Sequence, residues 1–335
     1  MRTKIQRIIV VILLLATFLS GCTIGDTEYV LDLSHIGRDE ILSVNGEKCS
    51  LKEAKLYLCN YQNLYGKEYG VNLWDYDFST EEVPATLEEY VKDITLLQLS
   101  NIMCMNQLAK EMEITLTEKE ESKVKHTAEE YYESLSSYEL DYMGISKKDV
   151  IGFYEKYAIA EKLYRHLTQG VNEEVSLDEA RVIRIQQIYV TSLDKARTVQ
   201  KKLEKGEDFS NVAGAYNEEK QIEIVVARGG LSEILEEVAF GLDNGEQSGL
   251  IKEKEGYYFI NCLSKNVEEL TEKNKGTIIA KRRKEQFDDV FLAFVEKSEL
   301  EVNQNEWDKV MVDTTGNIKT DCFFALYDDH FTKED

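Results

Sequence analysis

Apolar residues recur at three- and four-residue steps through much of the first half of the chain. Leu51, Ala54, Leu58, Tyr61 and Tyr65 make one such face, just after a short extended stretch that begins at Ile41. This spacing predicts an amphipathic helix. Asn45-Gly46, between extended residues, is a tight-turn or hairpin signal. Ser50-x-x-Glu53 is a capping box that opens the helix. Residues 66–85, with Gly66, Gly70 and the single proline, Pro84, read as irregular. A second box at Thr86-x-x-Glu89 opens a long helix to about Met112, whose face carries Leu87, Tyr90, Ile94, Leu97, Asn101, Met105, Leu108 and Met112. Thr117-x-x-Glu120 and Ser146-x-x-Asp149 open two more helices, the later one ending near Leu167. Aromatic residues crowd this region: Tyr131, Tyr132, Tyr138, Tyr142, Phe153, Tyr154, Tyr157 and Tyr164. They read as core and helix contacts, or as an adhesive cleft for unfolded polypeptide, since large amphipathic rings grip many sequences at low entropic cost.

The period changes near Ala180. In "RVIRIQQIYV", Val182, Ile183, Ile185, Ile188 and Val190 are β-branched and predict a strand. "SLDKARTVQKKLEKG" predicts a helix closed by Gly206, and "DFSNVAGAY" a short second one. "IEIVVARGG" is a strand or loop, "EILEEVAFGL" a third helix and "GYYFINCL" a closing strand. The order is β-α-α-(β)-α-β, a compact module. Thr271–Glu296 predicts one long helix with Ile278, Ile279, Phe287, Val290, Phe291 and Phe294 as its apolar positions. The natural packing partner for that helix is the first helical region, which makes the module an insert. The acidic tail 313–335 contains the apolar patch "CFFALY", which adds a strand or docks loosely.

The chain starts differently from an ordinary globular domain. Arg2, Lys4 and Arg7 precede an apolar run from Ile8 to Leu19, which is short of the roughly 20 residues of a membrane span. Leu19-Ser20-Gly21-Cys22 follows. A basic head, an apolar stretch and a small-residue cleavage site predict an export signal. The L-S-G-C ending resembles the lipobox of bacterial lipoproteins, which implies cleavage before Cys22 and a lipid on its sulfur. Residues 1–21 are then a signal peptide and 22–40 a tether. Two acyl chains suffice for stable anchoring, so the resemblance implies an extracytoplasmic protein held on the bacterial cell membrane.

A formal charge of −23 argues against a nucleic-acid partner, which needs clustered Lys and Arg. It serves solubility, or attraction of cationic unfolded clients. Cys49, Cys59, Cys104, Cys262 and Cys322 show no C-x-x-C spacing, so no zinc or redox motif is indicated. They read as buried reduced thiols. No cofactor or metal site is predicted. No phosphate loop or nucleophile elbow stands out either.

The module resembles the parvulin-type peptidyl-prolyl isomerase domain. "IQQIYV" stands at the family's first strand, and Ala196–Ala213 resembles its helix, glycine turn and Phe-x-x-hydrophobic-Ala step. "ARGG", "AFGLDNGEQSGLI" and "EGYYFI" are similar to its glycine loop, Gly-Glu-x-Ser turn and last strand. With the lipobox and the flanking helices, the whole chain resembles the extracytoplasmic foldase lipoproteins of the PrsA type, and its helical part resembles the periplasmic chaperone SurA. The implied fold class is α+β: a mostly helical chaperone domain (41–178, completed by a C-terminal helix in 267–312) with a parvulin-like rotamase module inserted at 179–266.

Family catalysis uses two facing histidines beneath a Cys or Asp, with a Met and a Phe forming the proline pocket. By resemblance, the histidine positions fall on Gln187 and Tyr258, the acidic position near Glu219 and the pocket Phe on Leu235. The loop bringing the Met is shortened between Gly230 and Ile234. The chain's histidines, His35, His126, His166 and His330, all lie outside the module. Gln187 and Tyr258 are expected to hydrogen-bond across the central strands as amide and hydroxyl. Leu235 and Phe240 are substrate-side candidates, or else helix residues packed on the sheet. The implied function is a lipid-anchored folding factor for unfolded or newly exported polypeptides, with isomerase activity weak or absent. The alternative is an active isomerase using Glu219, Gln187 and Tyr258.

Overall fold

The computed structural model describes residues 37–69, 74, 86–253 and 256–331. The signal peptide, Cys22 and most of the tether lie outside the described residues. The described residues divide into two compact units, one from those within 37–169 and 285–331, the other from those within 170–284.

In the first unit, β1 (Glu40–Val44) and β2 (Glu47–Ser50) form an antiparallel hairpin. Asn45 and Gly46 both have left-handed φ, +50° and +82°, as a two-residue primed turn requires. The third strand, β7 (Leu300–Val302), comes from the far end of the chain and pairs with β1 in register Leu42↔Val302. The helices of this unit are α1 (Leu51–Tyr69), α2 (Leu87–Glu111), α3 (Glu118–Ser134), α4 (Ser137–Met143) and α5 (Lys147–Leu167). To these the chain's last part adds a short α11 (Gln304–Trp307) and α12 (Phe323–Phe331).

The boxes at Thr86, Thr117 and Ser146 are formed in both directions, and so is a fourth, Ser136-x-x-Glu139, at the head of α4. Only half of the expected Ser50 box is seen: Ser50 Oγ accepts from the Glu53 amide at 3.2 Å. The Glu53 carboxylate is buried, and it instead accepts from Lys156 Nζ at 2.6 Å. An ion pair already removed from water outweighs one capping contact at the surface.

Two periodicity readings shift. Helix α1 continues through Gly66, and it is buried almost all round, since Leu56, Tyr57, Cys59, Asn60 and Gln62 join the expected face. On α2, Leu87 and Leu108 of the expected face are buried, and Val91, Thr95, Leu99, Ile102 and Met103 are buried beside them. Met112 is exposed, and Tyr90, Ile94, Leu97, Asn101 and Met105 only flank the core. Both stripes satisfy a 3.6-residue period, and neighbouring elements chose between them. The aromatic stretch is core: Tyr131, Phe153, Tyr154 and Tyr157 are buried, Tyr132, Tyr142 and Tyr164 half-buried, and Tyr138 exposed.

The tail "CFFALY" neither adds a strand nor docks loosely. It opens α12, and Phe323 is fully buried, stacked on Tyr154 with centroids 4.0 Å apart and in edge contact with Tyr131. Buried polar groups hold the approach to this helix. Glu139 Oε1 accepts from the amides of Lys319 and Thr320 at 2.7 and 2.8 Å. Thr320 Oγ1 and Asn60 Nδ2 both donate to Tyr131 Oη, at 2.8 and 2.7 Å. Asn60 Oδ1 in turn accepts from the Phe323 amide. Burial pushes the Glu139 carboxyl up, but the hydrogen bonds from Ser136, Lys319 and Thr320 outweigh it and hold the group below the ordinary carboxylate value.

The second unit contains a four-stranded antiparallel sheet in the order β4-β3-β6-β5, with α6 (Leu177–Ala180) just ahead of it. Its elements run β3 (Val182–Val190), α7 (Leu193–Glu204), α8 (Phe209–Tyr216), β4 (Glu223–Ala227), α9 (Glu233–Gly241), β5 (Ile251–Glu253) and β6 (Gly256–Ser264). One sheet face packs Ile183, Ile185, Ile260 and Cys262 against Leu235, Ala239 and Phe240 of α9. The other packs Ile188, Val190 and Phe259 against Ala196, Val199, Phe209 and Val212 of α7 and α8. The strand β5 had no distinct signal, being only three residues long. The long helix α10 (Glu268–Val295) spans the boundary between the units, and Phe287 and Phe291 are its buried anchors in the first. No helix among the described residues is long and apolar enough to cross a membrane.

Cys49, Cys59, Cys104 and Cys262 are buried and unpaired, and Cys322 is half-buried. Burial pushes the Cys104 thiol to about 11 and raises Cys49 well above its usual value, so these thiols are poor nucleophiles. Replacing Phe323 by Ala removes a ring from a site that cannot collapse easily. The expected cost is about 3–5 kcal/mol, read as a lower denaturant midpoint for the first unit. A loss below about 1 kcal/mol would show that the tail is dispensable.

Candidate functional site

The strands β3 and β6 are the centre of the module's sheet, and side chains alternate across it with period two. Ile183 and Ile185 point toward α9, so Gln187 and Tyr189 continue that face. On β6, Cys262, Ile260 and Tyr258 line it from the partner strand. The ladder sets Gln187 opposite Ile260 and Tyr189 opposite Tyr258.

The expected hydrogen bond between Gln187 and Tyr258 therefore gives way to a different pairing. The Tyr189 and Tyr258 rings meet with centroids 4.7 Å apart at 37°. Gln187 turns to the sheet edge, where its Nε2 donates to the Gln221 carbonyl at 3.2 Å and its amide donates to Ile222 at 2.8 Å. The sequence pattern places Gln187 and Tyr258 on one face, but the pairing register that offsets them by two residues is invisible in either strand alone.

The segment 217–222 lies along the edge of β3. Asn217 Oδ1 accepts from the Tyr189 amide at 2.9 Å, and the Glu218 amide donates to the Tyr189 carbonyl at 2.9 Å. Glu219 sits in this segment, exposed, with its carbonyl accepting from Asn217 Nδ2 at 3.0 Å. The acid that organises the loop is its neighbour, Glu218. Its carboxylate accepts from Lys195 Nζ, and from the amide and hydroxyl of Thr191 at 2.9 and 2.8 Å. Those partners, Lys195 first, hold it down to about 2. Sequence reasoning passed over Glu218, because adjacent glutamates carry no signal to tell an anchor from a solvated group.

Leu235 and Phe240 are core residues of the module, only 6% and 5% exposed. Two guanidinium groups lie over the Phe240 ring, Arg228 at 4.2 Å and Arg181 at 5.2 Å from its centroid. Both arginines reach Asp178, Arg228 through two contacts of 2.8 and 2.9 Å. Arg181 also donates to the Phe240 carbonyl at 3.0 Å. Where the family's Met loop would enter, the chain turns at Gly229, φ +80°, whose amide donates to Glu236 Oε2 at 2.6 Å, and passes into α9.

The face thus offers an amide and two phenols. These can donate and accept hydrogen bonds. His126, His166 and His330 all belong to the first unit, and His35 lies outside the described residues.

Tyr189 is held in place from below. A Cβ added to Gly256 would come within 2.4 Å of Tyr189 Cε2 and 2.7 Å of the Val190 carbonyl oxygen, so this strand start needs glycine for close approach.

Residues 187–264 match the Rotamase family, the PPIC-type PPIase domain. The foldase protein PrsA of Caldanaerobacter subterraneus subsp. tengcongensis is 27% identical over 271 residues, 72% of this chain and 79% of the relative. Among solved structures, the peptidylprolyl isomerase PrsA of Bacillus cereus aligns with 19% identity and a TM-score of 0.35, covering 76% of this chain and 99% of that one. PrsA of Streptococcus pneumoniae aligns with 18% identity and a TM-score of 0.31, covering 73% and 98%. A chain from the SurA-like chaperones PEB4 and Cj1289 of Campylobacter jejuni aligns with 12% identity and a TM-score of 0.28, covering 78% and 98%.

Two outcomes test the geometry. Gly256→Ala displaces Tyr189 or the β3 backbone and should cost about 1–3 kcal/mol, read in the unfolding of the module; unchanged stability would contradict the close contact. The Glu218 carboxyl is depressed in the folded state, so its contribution is complete above the ordinary carboxylate value and fades as pH falls toward about 2. Glu218→Gln should flatten that part of the stability–pH curve relative to the parent protein, and a superimposable curve would sink the assignment.

Proposed function

We propose that this chain, whose residues 187–264 form a PPIC-type PPIase domain, is a lipid-anchored extracytoplasmic folding factor for unfolded or newly exported polypeptides, with little or no isomerase activity. The observation that carries the second part is the composition of the sheet face: Gln187 and Tyr258 stand at the positions where the family resemblance puts histidines. The first part draws on the PrsA relative, on the lipobox at Cys22 and on the acidic charge.

Turning an X-Pro amide needs no nucleophile. Its barrier is the partial double bond, about 18–20 kcal/mol, and a catalyst lowers it by gripping the twisted amide away from water with a few fixed polar contacts. Gln187 already spends an amide hydrogen on Gln221. The residues at the substrate-side positions, Leu235 and Phe240, are occupied in packing. Both features favour a domain retained as a frame. Client binding has surface available in the first unit. An open groove of about 720 Å³ there is lined by apolar Leu108, Val290, Ala293 and Phe294 and by charged Glu47, Lys110, Glu111 and Lys297.

The second reading is an active isomerase, favoured by the two phenols that remain on the face and by Glu219 in the flanking loop. A protease-coupled assay of cis–trans exchange with X-Pro peptides separates the two. Uncatalysed exchange takes tens of seconds at 25 °C, so slight acceleration is visible. The expected result is a rate near background while the same preparation suppresses aggregation of an unfolded client. Clear acceleration, lost in Tyr258→Phe or Glu219→Ala, would establish the isomerase instead.

A further inference from the structure

We propose that His126, Glu130 and His330 form a binding site for one divalent transition-metal ion of the zinc type, tying the C-terminal helix to α3. His126 and Glu130 are one turn apart on α3, so both project from one side of the helix. His330 comes from the last turn of α12. One donor atom from each of the three lies within 4.8 Å of the others. His330 Nε2 is 2.8 Å from Glu130 Oε2, and the two imidazoles meet edge to face with centroids 5.1 Å apart.

The donor set selects the ion. Imidazole and carboxylate together suit zinc and its borderline neighbours rather than calcium or magnesium, which prefer all-oxygen shells. Three protein ligands leave a fourth tetrahedral position for water. Metal–ligand bonds of about 2.0–2.2 Å put neighbouring donors roughly 3.3–3.6 Å apart. The His330–Glu130 separation opens slightly and the widest one closes by side-chain rotation, with both helices in place. The ion can reach the site, because the Glu130 and His330 side chains are 49% and 25% exposed.

Electrostatics agree. His330 stands at the carbonyl end of α12, where the helix dipole favours a cation, and Asp328 and Asp329 precede it. Lys123 of α3 lies over the neighbouring Phe331 ring at 5.6 Å. A bound ion replaces the His330–Glu130 hydrogen bond with bonds to both side chains and adds His126. Since α12 carries Phe323 and Tyr327 into the core, an ion that binds only the assembled site stabilises the folded unit by mass action. Neither spacing nor motif announces this: the donors are brought together only when the last helix packs.

The test is isothermal titration of the full chain with Zn²⁺ in chelator-free buffer, alongside His126→Ala, His330→Ala and a His166→Ala control. His126 is exposed, so its removal leaves the fold intact, which circular dichroism verifies. The expected result is one site, weakened by about tenfold or more in each ligand variant and unchanged in the control. Co²⁺ in place of Zn²⁺ should give visible ligand-field bands without thiolate charge transfer. Unaltered affinity in His126→Ala and His330→Ala, no binding at all, or a thiolate band would each overturn the proposal.

Discussion

The helical unit depends on the burial of its own last segment. Phe323 fills the space between Tyr57, Tyr131 and Tyr154, and the chain leading to it brings amides that must find acceptors once water is gone. Glu139, Asn60 and Gln62 supply them. Gln62 pairs both ways with Asp313, its Nε2 donating to the carbonyl at 2.7 Å and its Oε1 accepting from the amide at 2.8 Å. Glu139 serves two elements at once, capping α4 with one oxygen and receiving the tail with the other. A charged acceptor held by several amides is strong in a dry setting, which is why an acidic, polar-looking tail can sit in a core.

The module solves a different problem. Its two central strands pack apolar side chains on both faces, with one polar pair between them, Asn261 Nδ2 donating to Gln186 Oε1 at 3.1 Å, and further polar contacts gather at the end of β3. There the loop 217–222 satisfies the strand through Asn217 and Glu218 rather than through a further ladder. The Tyr189–Tyr258 pair and the glycine beneath it fill the place where a face of this kind would otherwise expose its sheet. Packing and hydrogen bonding therefore account for each of these residues without assigning any of them a chemical step.

Much of this was readable in advance, and the limits have identifiable causes. Capping boxes and β-branched runs are local signals, so the helices at Thr86, Thr117 and Ser146 and the strands β3 and β6 were legible from a few residues each. The match to the PPIC-type domain agrees with the ordered set of glycine and aromatic steps in 181–264. The α2 face is right at Leu87 and Leu108 and incomplete between them, because two stripes share one period and only tertiary partners decide which is buried deepest. The tail was misjudged because "CFFALY" is too short to show a period. At the candidate site, Gln187 lies on β3 and Tyr258 on β6, the strands their patterns predict, but register and loop anchoring are properties of pairs. That is why the Tyr189–Tyr258 contact and the role of Glu218 emerged only from the structure.

The three-stranded sheet has a temporal consequence. Its strands β1 and β2 lie near residue 40 and its third strand at 300–302, and the aromatic core waits for Phe323. Such long-range closure is slow. A chain synthesised or threaded from its N-terminus holds residues 170–284 as one unbroken stretch, able to close as soon as it emerges. The helices of the first unit must remain unsealed, with tyrosines uncovered, until Phe323 arrives. The protein is thus its own last-minute client: for most of its emergence it exposes the kind of surface it is proposed to shelter in others.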